Sequence, residues 1–141
     1  AMCLAANLSG EAISISKTTA PHAVSYPFTA FYNVSHGHAV SLTLNKFLKF
    51  NYKNLASAKC DFDLNERFKI LFDVSKVSNF DAFDQYLIKL RDNAKLENNF
   101  EKLGIDINKN YSTIISSVNS QRLANNPVDL NLEDLKKIIQ S

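Results

Sequence analysis

Thr18-Thr19-Ala20-Pro21-His22-Ala23-Val24-Ser25-Tyr26-Pro27, followed after three residues by Phe31-Tyr32-Asn33-Val34-Ser35-His36-Gly37, is the stretch on which the reading of this 141-residue chain turns. Thr19 is placed to cap a helix whose first turn tolerates Pro21, because the N–H that proline lacks would be unpaired there anyway. Pro27 then either bends that helix or sets its end. Asn33-Val34-Ser35 reads as a connector, with Ser35 capping a second helix that runs from His36 towards Phe50. Two helices joined by so short a loop can bring His22 and His36 together. His38 lies two residues after His36, about 200° round a helix axis at ~100° per residue, so it does not share His36's direction.

Outward from this pair the periodicity stays helical. Val40, Leu44, Phe47 and Leu48 form one stripe; Phe83, Tyr86, Leu87 and Leu90 form a second; Tyr111, Ile114, Ile115 and Val118 form a third. Leu132, Leu135, Ile138 and Ile139 follow Asn131, a good N-cap, with Asp134 three residues on to favour the positive end of the helix. Phe68, Leu71 and Phe72, just after Asn65-Glu66, suggest another helix. The one strand-like alternation, Ala12-Ile13-Ser14-Ile15-Ser16, serves equally well to close a first helix. The expectation is an all-α helical bundle forming a single domain over residues 1–141.

With 45% hydrophobic and 21% charged residues, the composition is that of a globular domain. Gly10, Gly37 and Gly104 are too far apart to form a phosphate-cradling loop. The formal charge of +2 implies neither nucleic acid nor a membrane surface, and no stretch approaches the roughly 20 apolar residues of a spanning helix. Its distribution is uneven. Residues 1–60 carry Lys17, Lys46, Lys49, Lys53 and Lys59 against Glu11 alone, a net +4, whereas residues 61–141 carry 13 acids and 11 bases. The excess is read either as a solvated helix face or as a site that receives an anion. Cys3 and Cys60 have no tight spacing, and a reducing, cytosolic compartment is the simpler inference. Ala1 ahead of Met2 leaves the natural start at Met2 or upstream of it.

Metal ligation needs neutral imidazoles on rigid elements, aimed at one point and numerous enough for four or more bonds. His22 and His36, 14 residues apart, qualify as two such ligands, and Glu11 is the one acid near them in sequence. The chain therefore supplies at most half of a metal site. In the alternative reading the histidines are incidental, and the chain is a non-catalytic helical interaction domain whose aromatic stripes are core or partner surface.

The quoted stretch resembles the signature of the iron-containing alcohol dehydrogenases, in which a His-Ala-x-x-x-Pro helix precedes an aromatic connector and a His-Gly helix start. Arg122-Leu123-Ala124-Asn125-Asn126-Pro127 is similar to that family's C-terminal Asn-Asn-Pro element. The resemblance implies the helical C-terminal domain of a two-domain enzyme with the dehydroquinate synthase-like fold. An Fe²⁺ or Zn²⁺ ion would lie in the cleft beside NAD(P)H, which the N-terminal dinucleotide-binding domain would hold for the most part. His22 and His36 match two of the four metal ligands; the other pair and the glycine-rich loop have no counterpart here.

Tyr26 stands where many family members have a third histidine. It shares a helix face with His22, and would donate a hydrogen bond to the substrate oxygen, relay a proton, or simply pack beside Pro27. Val128 replaces a common arginine. Lys17-Thr18-Thr19, with Ser25-Tyr26-Pro27 and His36-Gly37-His38-Ala39, is similar to the branch that reduces phosphonoacetaldehyde. The implied partner is a small aldehyde or its alcohol bearing a phosphonate or carboxylate tail. Lys17 and Thr18, with His38 flanking, are then the substrate-binding candidates, since a cation beside a helix N-terminus suits an anion. A fragment of this kind should be inactive alone, and an exposed apolar face on it should favour a homodimer.

Overall fold

The computed structural model describes residues 1–140, and among them there is no β-strand. The helices are α1 (Met2–Ile15), α2 (Ala20–Tyr32), α3 (His36–Lys53), α4 (Leu64–Ser75), α5 (Phe80–Asn93), α6 (Ile107–Ser116), α7 (Ser120–Leu123) and α8 (Leu132–Gln140), with a 3₁₀ turn at Leu55–Ser57. Among the described residues no helix is long and apolar enough to cross a membrane. The organising element is α3, which packs against α2, α5 and α8; α4 lies on α5, α6 on α2 and α8, and α7 on α2.

Because α3 has neighbours on two sides, it feeds two cores. Ala39, Leu42 and Phe47 join Val24, Phe28, Ile105, Ile114, Leu135 and Ile139 in the larger one. From its other side Leu48 and Tyr52 pack on an aromatic cluster of Phe68, Phe72, Phe80 and Phe83. The sequence stripe Val40–Leu44–Phe47–Leu48 is therefore rotated: the buried face runs through Ala39, Leu42, Thr43, Phe47 and Asn51, while Val40, Leu44 and Leu48 are half-buried. A helix with partners on two sides has no single apolar stripe to reveal it. The Phe83 stripe is also only partly core, since Tyr86 and Leu90 remain exposed.

Helix ends follow local chemistry. The Asp63 carboxylate accepts from Asn65 N and Glu66 N, so α4 starts at Leu64, just ahead of the pair Asn65-Glu66. Asn131 and Asp134 bond reciprocally, Asp134 N to Asn131 Oδ1 at 2.9 Å and Asn131 N to Asp134 Oδ2 at 3.1 Å. The expected side-chain caps at Thr19 and Ser35 do not form. At Thr19 the reason is Pro21. It occupies the second helical position and offers no N–H, while the next donor, His22 N, is taken by the Thr19 carbonyl at 3.1 Å. Pro27 does not end α2, which continues to Tyr32 and stops where Asn33 takes the left-handed conformation at φ 54°. The alternating Ala12–Ser16 segment closes α1, with Ser16 as its C-cap.

α1 differs from every other long helix in having no buried residue: Met2, Leu4, Leu8, Ile13 and Ile15 are all exposed.

Candidate metal centre

The α2–connector–α3 hairpin brings the two predicted ligands together. The His22 and His36 rings are 5.4 Å apart, centroid to centroid, and the Tyr26 ring is 5.5 Å from His36. Two imidazoles sharing a tetrahedral ion at metal–nitrogen bonds of about 2.0–2.1 Å have ring centroids about 5 Å apart, a separation close to the one found here. The hairpin can close this tightly because Ala20, Ala23, Val24, Ser25 and Phe28 of α2 and Ala39 of α3 are completely buried where the helices meet.

Ser25 adds a detail that spacing did not reveal. Its hydroxyl donates to the His22 carbonyl oxygen at 2.8 Å, and its Oγ lies 3.4 Å from His36 Nδ1. With its one hydrogen spent, Oγ can only accept from Nδ1–H, which leaves the lone pair of His36 on Nε2. His22 is held below the ordinary histidine pKa, chiefly by burial, then by the nearby His36 and Arg122. That favours the neutral imidazole a metal ion requires.

Two ligands are nevertheless all that assemble. Among the described residues no group of three or more His, Cys, Asp or Glu side chains could hold an ion. Glu11, on the exposed α1, accepts from Asn7 at 2.7 Å. Asp63 caps α4.

The remaining candidates sit as follows. Lys17 is exposed in the segment between α1 and α2. The Thr18 carbonyl accepts from Asn125 Nδ2 at 3.1 Å. His38 is engaged elsewhere: Nε2 lies 2.6 Å from the Glu97 carbonyl oxygen, to which it can only donate.

Arg122 and the Asn-Asn-Pro turn complete the site's surroundings. The Arg122 guanidinium lies over the Tyr26 ring, 4.8 Å from its centroid, and Nη1 donates to the Tyr26 hydroxyl. Behind it Asn126 and Asn51 form a buried reciprocal amide pair, and Asn126 Nδ2 also donates to Val128 O at 2.7 Å. Val128 is buried and bridges to Ala58. The turn therefore ties α3 and the approach to α2 into one unit. Because 96 residues separate Tyr26 from Arg122, no local spacing rule could have joined them.

Over residues 1–141 the chain matches the Fe-containing alcohol dehydrogenase family, C-terminal. The chain belongs to that family. It is 44% identical over 48 residues to phosphonoacetaldehyde reductase of Streptomyces viridochromogenes, a match covering 34% of this chain and 12% of that protein. In fold it resembles the crystal structure of sulfoacetaldehyde reductase from Bifidobacterium kashiwanohense in complex with NAD⁺, with a TM-score of 0.66 at 20% identity, covering 88% of this chain and 30% of that one. The chain thus spans less than a third of either relative's length. The all-α architecture expected from the helical periodicity is that of the C-terminal domain of such a family member.

Proposed function

We propose that this chain is the metal-binding C-terminal part of an NAD(P)-dependent aldehyde reductase whose substrate carries an anionic tail. The observation that carries the reading is the meeting of His22 and His36 beside Tyr26, in a chain that belongs to the Fe-containing alcohol dehydrogenase family. The names of its relatives, reductases of phosphonoacetaldehyde and sulfoacetaldehyde, favour a short aldehyde with an oxyanion at its far end.

His22 and His36 would hold Fe²⁺ or Zn²⁺, with further ligands from outside these residues. When bound, such an ion supplies Lewis-acid polarisation of a carbonyl oxygen. NAD(P)H would be held mainly by a dinucleotide-binding domain, since these residues include no glycine-rich loop. Ser25 keeps the His36 ring in one tautomer. Tyr26 accepts from Arg122 and so retains its own proton to donate to a substrate oxygen. Lys17 and Thr18 line the approach to α2 as outer polar groups, and His38 fixes the α5–α6 connection to α3. In this reading the 141-residue chain has no reductase activity by itself.

A second reading, a helical interaction domain without chemistry, draws on the exposed apolar α1. Assays of NADH and NADPH oxidation with phosphonoacetaldehyde separate the two. We expect none from this chain. We expect turnover when it is joined to its dinucleotide-binding domain, falling at least about a hundredfold in His22→Ala and His36→Ala. Turnover unchanged in both variants would leave the interaction domain as the better account.

A further inference from the structure

Arg122 carries a charge that nothing in the described fold neutralises. Every ion pair among the described residues involves other side chains: Lys59–Asp129, Lys69–Glu66, Arg91–Asp92, Lys102–Glu97 and Lys137–Glu133. Arg122 is half-buried, stacked on Tyr26 and close enough to His22 to lower its pKa, yet among the described residues no carboxylate side chain forms an ion pair with it. Taking a guanidinium partly out of water without a counter-ion is costly, so a retained, unopposed one is suited to an anion that arrives from outside.

We propose that Arg122 is the specificity-determining residue that binds the tetrahedral oxyanion of the substrate, a phosphonate or sulfonate, while the carbonyl end lies at the His22–His36 face. This rests on the reductase reading above and adds to it the side chain that selects the substrate class. Three features of the site support the assignment. The first is donor capacity: a guanidinium has five N–H donors, and the Tyr26 hydroxyl uses one, leaving a planar fork for two oxyanion oxygens.

The second is preorganisation. α7 is capped by Asn119, which accepts from Arg122 N at 2.9 Å; Asn125 ties the same segment to Thr18, and Asn126 ties it to Asn51. The stacked guanidinium therefore loses little freedom on binding. The third is position. Tyr26 contacts both Arg122 and His36, so one short molecule can span from the guanidinium to the imidazole pair along a single tyrosine. Lys17, exposed and without a fixed partner, lacks this geometry and contributes only screened, long-range attraction.

The test uses the 141-residue chain, metal-free, observed by NMR at the Arg122 side chain and the Tyr26 ring. The probes are 2-hydroxyethylphosphonate, 2-hydroxyethanesulfonate and, as the neutral control, 1-propanol. Both oxyanions should shift Arg122 and Tyr26, and propanol should shift neither. Arg122→Gln should weaken oxyanion binding at least about tenfold, and Lys17→Gln less than about threefold. Arg122→Lys keeps the charge and the fold but not the fork, so it should lose several-fold. Equal oxyanion binding by Arg122→Gln and the parent chain would overturn the proposal, as would a larger loss in Lys17→Gln. If Arg122→Gln fails to fold, Arg122→Lys decides: binding equal to the parent's overturns the role of the fork. A parallel Zn²⁺ titration reads the His22 and His36 rings. Rings that ignore Zn²⁺ while the oxyanions still find Arg122 would remove the metal reading and leave the oxyanion site standing. The reverse pattern would remove Arg122 alone.

Discussion

α1 and α2 are neighbours in sequence, similar in length and similarly apolar overall, yet one is naked and the other is the most deeply packed helix of the protein. Seven of the thirteen residues of α2 are buried, and none of the fourteen in α1 is. The difference is not in overall apolar character. α2 has small residues where α3 crosses it and, through Tyr26 and the preceding Thr18, polar ties to Arg122 and Asn125; α1 is apolar around much of its circumference and has nothing of comparable extent to lie against. Helices of the latter kind belong inside larger assemblies. The contrast is between an α2 clamped by α3 and α7 and an α1 whose apolar residues stay uncovered.

The contrast breaks most visibly in stability. Phe28→Ala, which empties a fully buried position in α2, should cost about 3–5 kcal/mol, whereas Leu8→Ala in α1 should stay within about 0.5 kcal/mol. Urea denaturation of the two variants compares them directly. Equal losses would mean that α1 is packed after all.

Next in size is the clamp. Asn126→Ala strands the Asn51 amide in the interior and should cost about 1–3 kcal/mol by the same measurement. It should also loosen Arg122, seen as faster exchange of its guanidinium protons.

A smaller effect is pH-dependent. The pKa of His22 is lower in the fold than in the unfolded chain, so between those two values the unfolded state binds more protons and stability rises with pH. Stability should therefore be full above about pH 6.5 and fall as the solution is acidified through the folded-state value. His22→Asn should flatten that slope in denaturation series across pH 5–8. The smallest effect concerns α1 alone. Light scattering should show concentration-dependent self-association that Leu4→Lys with Leu8→Glu reduces, with little change in unfolding midpoint.

Much of this was legible in the residues. The helix–connector–helix reading of Thr18–Gly37, the Asn131 cap and the divergence of His38 from His36 follow from local rules of spacing and capping, and those rules act within a few residues. What local rules could not reach was the rotated face of α3, because two sets of partners act on it, and the failed Thr19 cap, where a proline had removed the recipient donor. Arg122 was visible only as part of a motif. Its role depends on a contact across the whole domain, which no periodicity encodes. The exposure of α1 was not legible because its residues do not encode what lies beside them, and only the packing reveals that nothing among the described residues covers it.

The central claim is that His22 and His36 together form half of a metal site. Its most direct test is a Zn²⁺ titration of the 141-residue chain followed by the ring resonances of all three histidines. His22 and His36 should shift together through Nε2 of His36, with one ion per chain and weak affinity; His38 should stay still, and His22→Ala or His36→Ala should abolish the response of the other ring. Independent titration of the two rings, or Zn²⁺ binding that survives either substitution, would contradict it.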